Sequence, residues 1–305
     1  LIVSDSLRFK DIAEKEDLAP FLSRVSREGI LLKKFYSTSP WTVPSHASIF
    51  SGKLPSEHGC TTENTYFDCD FKVLDELDGR YKLGLSENRL LCDELGFSSG
   101  FDKFLNFQAG MEGGKSWKEV WEKDDEFEGS LEKYMYFMKL VVINRDLASL
   151  NDLARYLYSK LSKKGFNRRS ISEVFNSVQD ELYNERDSFI FTNIVSTHHP
   201  YTFGKKEKRE FFGDVEEQEL REAIDGYNHE EYLGGDEIIW DRRKMEIRRR
   251  GYLASINFVD RYLEILYDSS PEDTVFIVIG DHGELFGEYE REGSPLIGHH
   301  FGTFK

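Results

Sequence analysis

Three short runs of this chain are almost wholly apolar, and each one stops at side chains that can ionise. Residues 1–4 run into Asp5, residues 188–196 (SFIFTNIVS) run into His198 and His199, and residues 274–280 (TVFIVIG) run into Asp281 and His282. A strand that is apolar on both faces belongs inside a parallel sheet, with helices covering it on each side. A fourth run, 81–86, reads the same way. Between these runs lie helical patterns at 145–163, 171–183 and 248–267. The alternation predicts an α/β fold with a central, largely parallel sheet sandwiched by helices. In such sheets the ligand site lies beyond the carboxyl ends of the strands. Asp5, His198 and Asp281 all fall at that edge.

Near the start, residues 11–28 read as a helix. Leu18, Phe21, Leu22 and Val25 recur at a spacing of three to four, and Gly29 stops the pattern. Residues 30–37 are strand-like. Residues 40–46 form a turn that enters a helix near Ser45, and 52–59 is a loop rich in Gly and Pro. Two stretches fit no element. Residues 108–138 mix aromatics, glycines and charges. Residues 205–250 are strongly charged and read as solvated helix and loop. We expect one catalytic domain over 1–305, with insertions near 108–138 and 205–250.

Composition excludes several classes. Hydrophobic residues make up 39% of the 305 and aromatics 14%, enough for a packed core. The formal charge of −16 argues against nucleic acid as a partner, because a phosphate backbone needs a basic surface. Cys60, Cys69 and Cys92 are too few and too irregular for a disulfide framework or a zinc knuckle, and read as reduced thiols. No apolar run approaches the roughly 18–20 residues needed to span a bilayer. The expected location is cytoplasmic, with the chain trimmed at both ends: 1–4 opens inside a strand and 298–305 carries no stop signal.

Carboxylates and neutral imidazoles at neighbouring strand ends are good ligands for a divalent ion. In DHGE, residues 281–284, the glycines on either side allow Asp281 and His282 to face one ion. The second chemical feature is SPWTVPSHASIFSGKLPSEHG, from Ser39 to Gly59. A hydroxyl at a helix N-terminus sits in positive potential among free N–H groups, and a nearby metal can make it a nucleophile. From this segment alone, Thr42 and Ser45 could equally be plain capping residues.

Taken in chain order, D-S-L-R at 5–8, T-V-P-S-H-A-S-I-F-S-G-K-L-P-S-E-H-G at 42–59, H-H-P-Y at 198–201, D-H-G-E-L-F-G-E at 281–288 and G-H-H-F-G at 298–302 resemble the sulfatase branch of the alkaline phosphatase superfamily. The resemblance runs the length of the chain. It implies a metal-dependent enzyme acting on phosphate or sulfate esters. By position, Asp5, Asp281 and His282 would be metal ligands, with Thr42 both ligand and nucleophile. His198 and His299, with His300 as the alternative in register, would contact the transferred group or the leaving oxygen. His58 and Gly59 match a structural loop.

The departures from the pattern narrow the chemistry. Sulfatases of this type convert a Cys or Ser at the nucleophile position into formylglycine, and Thr42 cannot become that aldehyde. His46 replaces the arginine that ends the motif. Ser6 replaces the second acid of the usual pair, which favours manganese or zinc over calcium or magnesium. The lysine of the last motif has no secure counterpart, Lys305 being the nearest. The expected reaction is therefore hydrolysis or transfer of a phosphate mono- or diester through Thr42, on a small-molecule, sugar or lipid ester. A sulfatase without formylglycine and a catalytically silent binding relative are the alternatives. Trp117, Trp121 and Trp240 could stack on a substrate but read better as packing residues.

Overall fold

The computed structural model describes residues 1–13, 15–107, 135–140, 143, 171–184, 186–224, 241–291 and 294–298. Strands β1 (Ile2–Ser4), β2 (Tyr81–Ser86), β3 (Lys103–Asn106), β4 (Ser188–Ile194) and β5 (Val278–Gly280) form one sheet in the order β3-β2-β4-β1-β5. Every pairing in it is parallel. β6 (Leu285–Arg291) and β7 (Ser294–Gly298) form a separate antiparallel pair.

The described helices are α1 (Phe9–Ala13), α2 (Pro20–Glu28), α3 (Thr42–Ser51), α4 (Pro55–His58), α5 (Lys72–Asp75), α6 (Ile171–Leu182), α7 (Lys205–Phe212), α8 (Glu217–Ile224) and α9 (Arg242–Asp268). Side chains alternate across the strands, so the sheet feeds two cores. Ile2, Leu83, Leu85 and Ile194 join the larger core with Phe21, Val174 and Leu263 from α2, α6 and α9. Val3 and Phe191 face the other way, into a smaller core with Val43, Phe50 and Phe71. That second core is aromatic: the Phe50 ring lies 4.9 Å from Phe191, 5.3 Å from Phe71 and 5.7 Å from Phe101. It seats α3 under the carboxyl end of the sheet.

Several boundaries differ from the sequence reading. The predicted helix at 11–28 is two helices, because Pro20 has no N–H to continue one but fits the first turn of the next. Residues 30–37 do not form a strand; Ile30 is 90% exposed and Leu32 64%. The helix expected from about Ser45 begins at Thr42. Of the run at 274–280 only Val278–Gly280 is strand, and it lies at the sheet edge with Ile277 51% exposed. The predicted helix at 145–163 and most of 108–138 fall outside the described residues. The charged segment at 205–250 holds α7, α8 and the start of α9, as solvated helix requires. No described helix is long and apolar enough to cross a membrane. All three cysteines are free thiols.

Helix α2 begins without a side-chain cap of its own, since its N-cap is Ala19. The Asp260 carboxylate on α9 supplies one, accepting from the Phe21 and Leu22 N–H groups at 2.9 Å each. This ties two helices together through one buried side chain. Asp260→Ala leaves both donors unpaired and should lower stability by about 1–2 kcal/mol, read as a lower urea midpoint at unchanged slope.

Candidate active site

Asp5 follows β1 directly, and Asp281 follows β5, so the parallel pairing of β1 with β5 delivers both carboxylates to the same edge. Their loops approach closely: a Cβ added at Gly280 would collide with the Leu7 carbonyl oxygen. Ser6 lies between, donating its N–H to Asp281 Oδ1 at 3.1 Å and its hydroxyl to Asp5 Oδ1 at 3.3 Å. The His282 N–H also donates to Asp281 Oδ1, at 2.9 Å. Asp281 Oδ2 is buried with no hydrogen-bond partner among the described residues.

His282 completes the set. Its Nδ1 lies 2.9 Å from the Gly283 carbonyl, which can only accept, so Nδ1 carries the proton and Nε2 presents a lone pair. That Nε2 is 3.4 Å from Asp5 Oδ1 and 3.5 Å from Asp281 Oδ2. One ligand atom from each of the three residues lies within 4.8 Å of the others, and all three residues are buried. Two carboxylates, an imidazole nitrogen and an orphaned carboxylate oxygen fit a divalent cation.

Thr42 is the first residue of α3, after Trp41 in extended conformation. Its Oγ1 lies 3.3 Å from Asp5 Oδ2 and 3.5 Å from His282 Nε2. The hydroxyl therefore shares the ligand cluster and the positive end of a helix. Ser45, read from the sequence as a cap, does not cap; its Oγ donates to the Ser39 carbonyl at 3.0 Å. Ser37 Oγ contacts the Asp281 carbonyl and so pins the segment before α3 to the other ligand loop.

Sequence reasoning missed Asn88. Its Nδ2 donates to Asp5 Oδ2 at 2.8 Å and to Thr42 Oγ1 at 3.3 Å. The strand-end rule that singled out Asp5 applies here too, because Asn88 stands two residues beyond β2. His46 also takes a definite place. It is fully buried, donates from Nδ1 to the Thr42 carbonyl at 2.9 Å and has Asn193 Nδ2 at 3.4 Å from Nε2. It packs under Thr42 as a neutral ring rather than replacing the charge of an arginine. His198 stands beside the cluster, its ring centroid 6.5 Å from that of His282, and donates from Nδ1 to the His199 carbonyl at 2.6 Å. His58 braces the loop behind α3, bonding Ser48 Oγ at 3.0 Å and accepting from the Cys60 N–H at 3.0 Å. Gly59 follows it with φ +74°, a left-handed cap that suits glycine. His299, His300 and Lys305 lie outside the described residues, as do Trp117, Trp121 and Trp240.

The electrostatics follow from burial. Burial works to raise the Asp5 carboxyl, but His198, His282 and the Asn88 amide outweigh it and hold Asp5 below the ordinary carboxylate range. Burial, and then the negative charge of Asp5, pushes Asp281 well above that range. Two carboxylates this close cannot both ionise without a counter-charge, which a bound cation would supply. Burial lowers His46 to about 4, with the Thr42 carbonyl offsetting part of the effect.

A family model described as Sulfatase matches residues 1–304. Human N-acetylgalactosamine-6-sulfatase is 33% identical over 69 residues, covering 22% of this chain and 13% of that relative. Among solved structures, the phosphonate monoester hydrolase of Agrobacterium radiobacter superposes with a TM-score of 0.61 at 13% identity, over 99% of this chain and 65% of that one. The C-terminal periplasmic domain of EcEptC from Escherichia coli, in complex with Zn, superposes with a TM-score of 0.52 at 11% identity, over 98% of this chain and 66% of that one. The chain thus spans about two thirds of these structures and a small part of the curated relative. At these identities the two superpositions show a shared fold.

Two outcomes follow from the geometry. Gly280→Ala forces the two ligand loops apart and should lower stability by roughly 1–3 kcal/mol in a thermal or denaturant melt. His46 has a folded pKa below its unfolded value, so its contribution is present above about pH 6.5 and is lost as pH falls toward about 4. Chelator-treated wild type should therefore lose stability over that window relative to His46→Gln, by on the order of 3 kcal/mol.

Proposed function

The chain belongs to the Sulfatase family, and from that membership we propose that it is a metal-dependent hydrolase or transferase of phosphate esters, with Thr42 as the nucleophile. The observation that carries the reading is the position of Thr42 Oγ1, at a helix N-terminus and 3.3 Å and 3.5 Å from Asp5 and His282.

Asp5, Asp281 and His282 would hold a divalent ion, manganese or zinc by the mixed oxygen and nitrogen donors, with the Thr42 oxygen at the same centre. When bound, the ion supplies Lewis-acid stabilisation of negative charge on oxygen. The residues do the rest. Thr42 Oγ1 releases its proton to water and attacks phosphorus, and the amino end of α3 favours the anion that develops. The Asn88 amide, already 3.3 Å from that oxygen, is placed to donate to a phosphoryl oxygen beside it. The product of the attack is a phosphothreonine ester. His198 lies beside the cluster and would protonate or steady the departing alcohol; His299 is assigned the same face from the sequence pattern. Water or an acceptor alcohol then releases the phosphoryl group.

The substrate class is a small-molecule phosphate ester, with a sugar or lipid alcohol as the leaving group. Phosphate is preferred over sulfate because threonine carries a methyl group on its β-carbon and cannot be oxidised to the aldehyde. One observation favours sulfate esters as a second reading: the curated relative is a sulfatase. Rates on an aryl phosphate, a bis-aryl phosphodiester and an aryl sulfate separate the two, and a dominant sulfate rate would reverse the preference. Thr42→Ala should lose about 10³-fold or more in turnover, equivalent to about 4 kcal/mol of barrier, while its melting curve stays cooperative. Undiminished turnover in that variant would remove Thr42 from the mechanism.

A further inference from the structure

We propose that the Tyr252 hydroxyl is a positioning group for the metal site, holding the left-handed turn at Ser6 that sets Asp5 against Asp281. The inference rests on the metal reading above and adds a residue in the middle of a helix, with no atom at the reacting centre.

Ser6 is the only non-glycine among the described residues with positive φ, at 64°. A residue with a Cβ adopts that backbone only where its surroundings over-determine it. Here the strain has a use. The turn points the Ser6 N–H at Asp281 Oδ1, 3.1 Å away, and keeps the Ser6 hydroxyl 3.3 Å from Asp5 Oδ1. One serine thereby bridges the two carboxylates from opposite ends of the cluster.

The turn is held from behind. The Tyr252 hydroxyl donates to the Ser6 carbonyl at 2.9 Å and accepts from the Arg8 N–H at 2.8 Å, so one phenol oxygen closes both sides of the 6–8 turn. Tyr252 is fully buried within α9, and its ring lies 5.1 Å from Phe286 and 5.9 Å from Tyr201. Arg8 extends the clamp to the other ligand loop. Its Nη1 donates to the Glu284 carbonyl at 2.8 Å and to Glu288 Oε1 at 2.5 Å. Its Nε pairs with buried Asp11 at 3.1 Å. The Tyr201 hydroxyl anchors the same loop through Glu284 Oε1 at 2.8 Å. Helix α9 thus grips the Asp5 loop through one hydroxyl, and that loop grips the Asp281–His282 loop through the Ser6 N–H and the Arg8 guanidinium.

Groups that orient metal ligands without touching the ion typically hold about 10- to 100-fold of metal affinity when they are removed. The test is Tyr252→Phe in the full chain, which keeps the ring packing and deletes one oxygen. Zn²⁺ affinity is measured by competition with a chromophoric chelator, and the melting temperature of the chelator-stripped protein is measured alongside. Tyr183→Phe is the control, since it deletes a tyrosine hydroxyl that donates to the Ser269 carbonyl at 3.1 Å, away from the site. The expected result is a Zn²⁺ Kd raised about 10-fold or more in Tyr252→Phe and unchanged in Tyr183→Phe. Wild-type Zn²⁺ affinity in Tyr252→Phe overturns the inference, whatever its melting temperature. A wild-type chain that takes up no metal overturns the metal reading itself, and the inference falls with it. If Tyr252→Phe does not fold, Ser6→Ala carries the test: it leaves the tyrosine in place and removes the hydroxyl that ties the turn to Asp5. An unchanged Kd in that variant is equally fatal.

Discussion

Asp5 and Asp281 place two buried carboxyl groups against one imidazole nitrogen, and like charges in a dry interior repel strongly. Every feature around them acts on that conflict. The Asn88 amide and the backbone N–H groups of Ser6 and His282 donate hydrogen bonds to them. The amino end of α3 adds partial positive charge. None of these neutralises the pair, and one Asp281 oxygen is left without a donor. The divalent ion proposed above would resolve the balance by supplying a charge that the polypeptide does not. The fold's task is to keep the carboxylates together in its absence, and the close passage at Gly280 and the turn at Ser6 do so.

Much of this was legible in the sequence, for a definite reason. Parallel strands in a covered sheet must be apolar on both faces, so 81–86 and 188–194 stand out, and whatever follows such a strand stands at the ligand edge. Asp5, Asp281 and His282 were found that way, and the motif order pointed to Thr42. The readings that failed needed information from elsewhere in the fold. Residues 30–37 have strand-like composition but pair with no strand in the described structure, and pairing is a tertiary fact. The helix expected from about Ser45 starts at Thr42, which moves the threonine from a turn onto a helix end. Asn88 has only its place two residues beyond β2 to mark it, Arg8 only its place in the 5–8 motif, and Tyr252 has no local signal. An asparagine after a strand, a tyrosine in a helix and an arginine in a loop are ordinary until the chain folds them onto one cluster.

The position of His46 shows how a motif can be kept in outline while its chemistry changes. A cation there would face Asp281 directly. The histidine is buried, held below its ordinary range and committed to the Thr42 carbonyl, so it adds rigidity beneath the threonine and no fixed charge. In the reaction proposed above, that would leave the metal ion, Asn88 and the helix end to meet an anionic ester.

The edge position of β5 carries a consequence for dynamics. Among the described residues, Asp281 and His282 follow a strand joined to the sheet only through β1, with Ile277 half open to solvent. Asp5 comes from an interior strand flanked on both sides. The cluster therefore spans two regions of unequal local stability, a firm half and a half that can fray. A ligand that binds only when both halves are docked draws on that difference: its occupancy and the closing of the edge strand become one equilibrium. With the proposed ion in place, order at 277–283 and occupancy of the cluster would rise together, so the mechanical continuity of the sheet edge would depend on the ion.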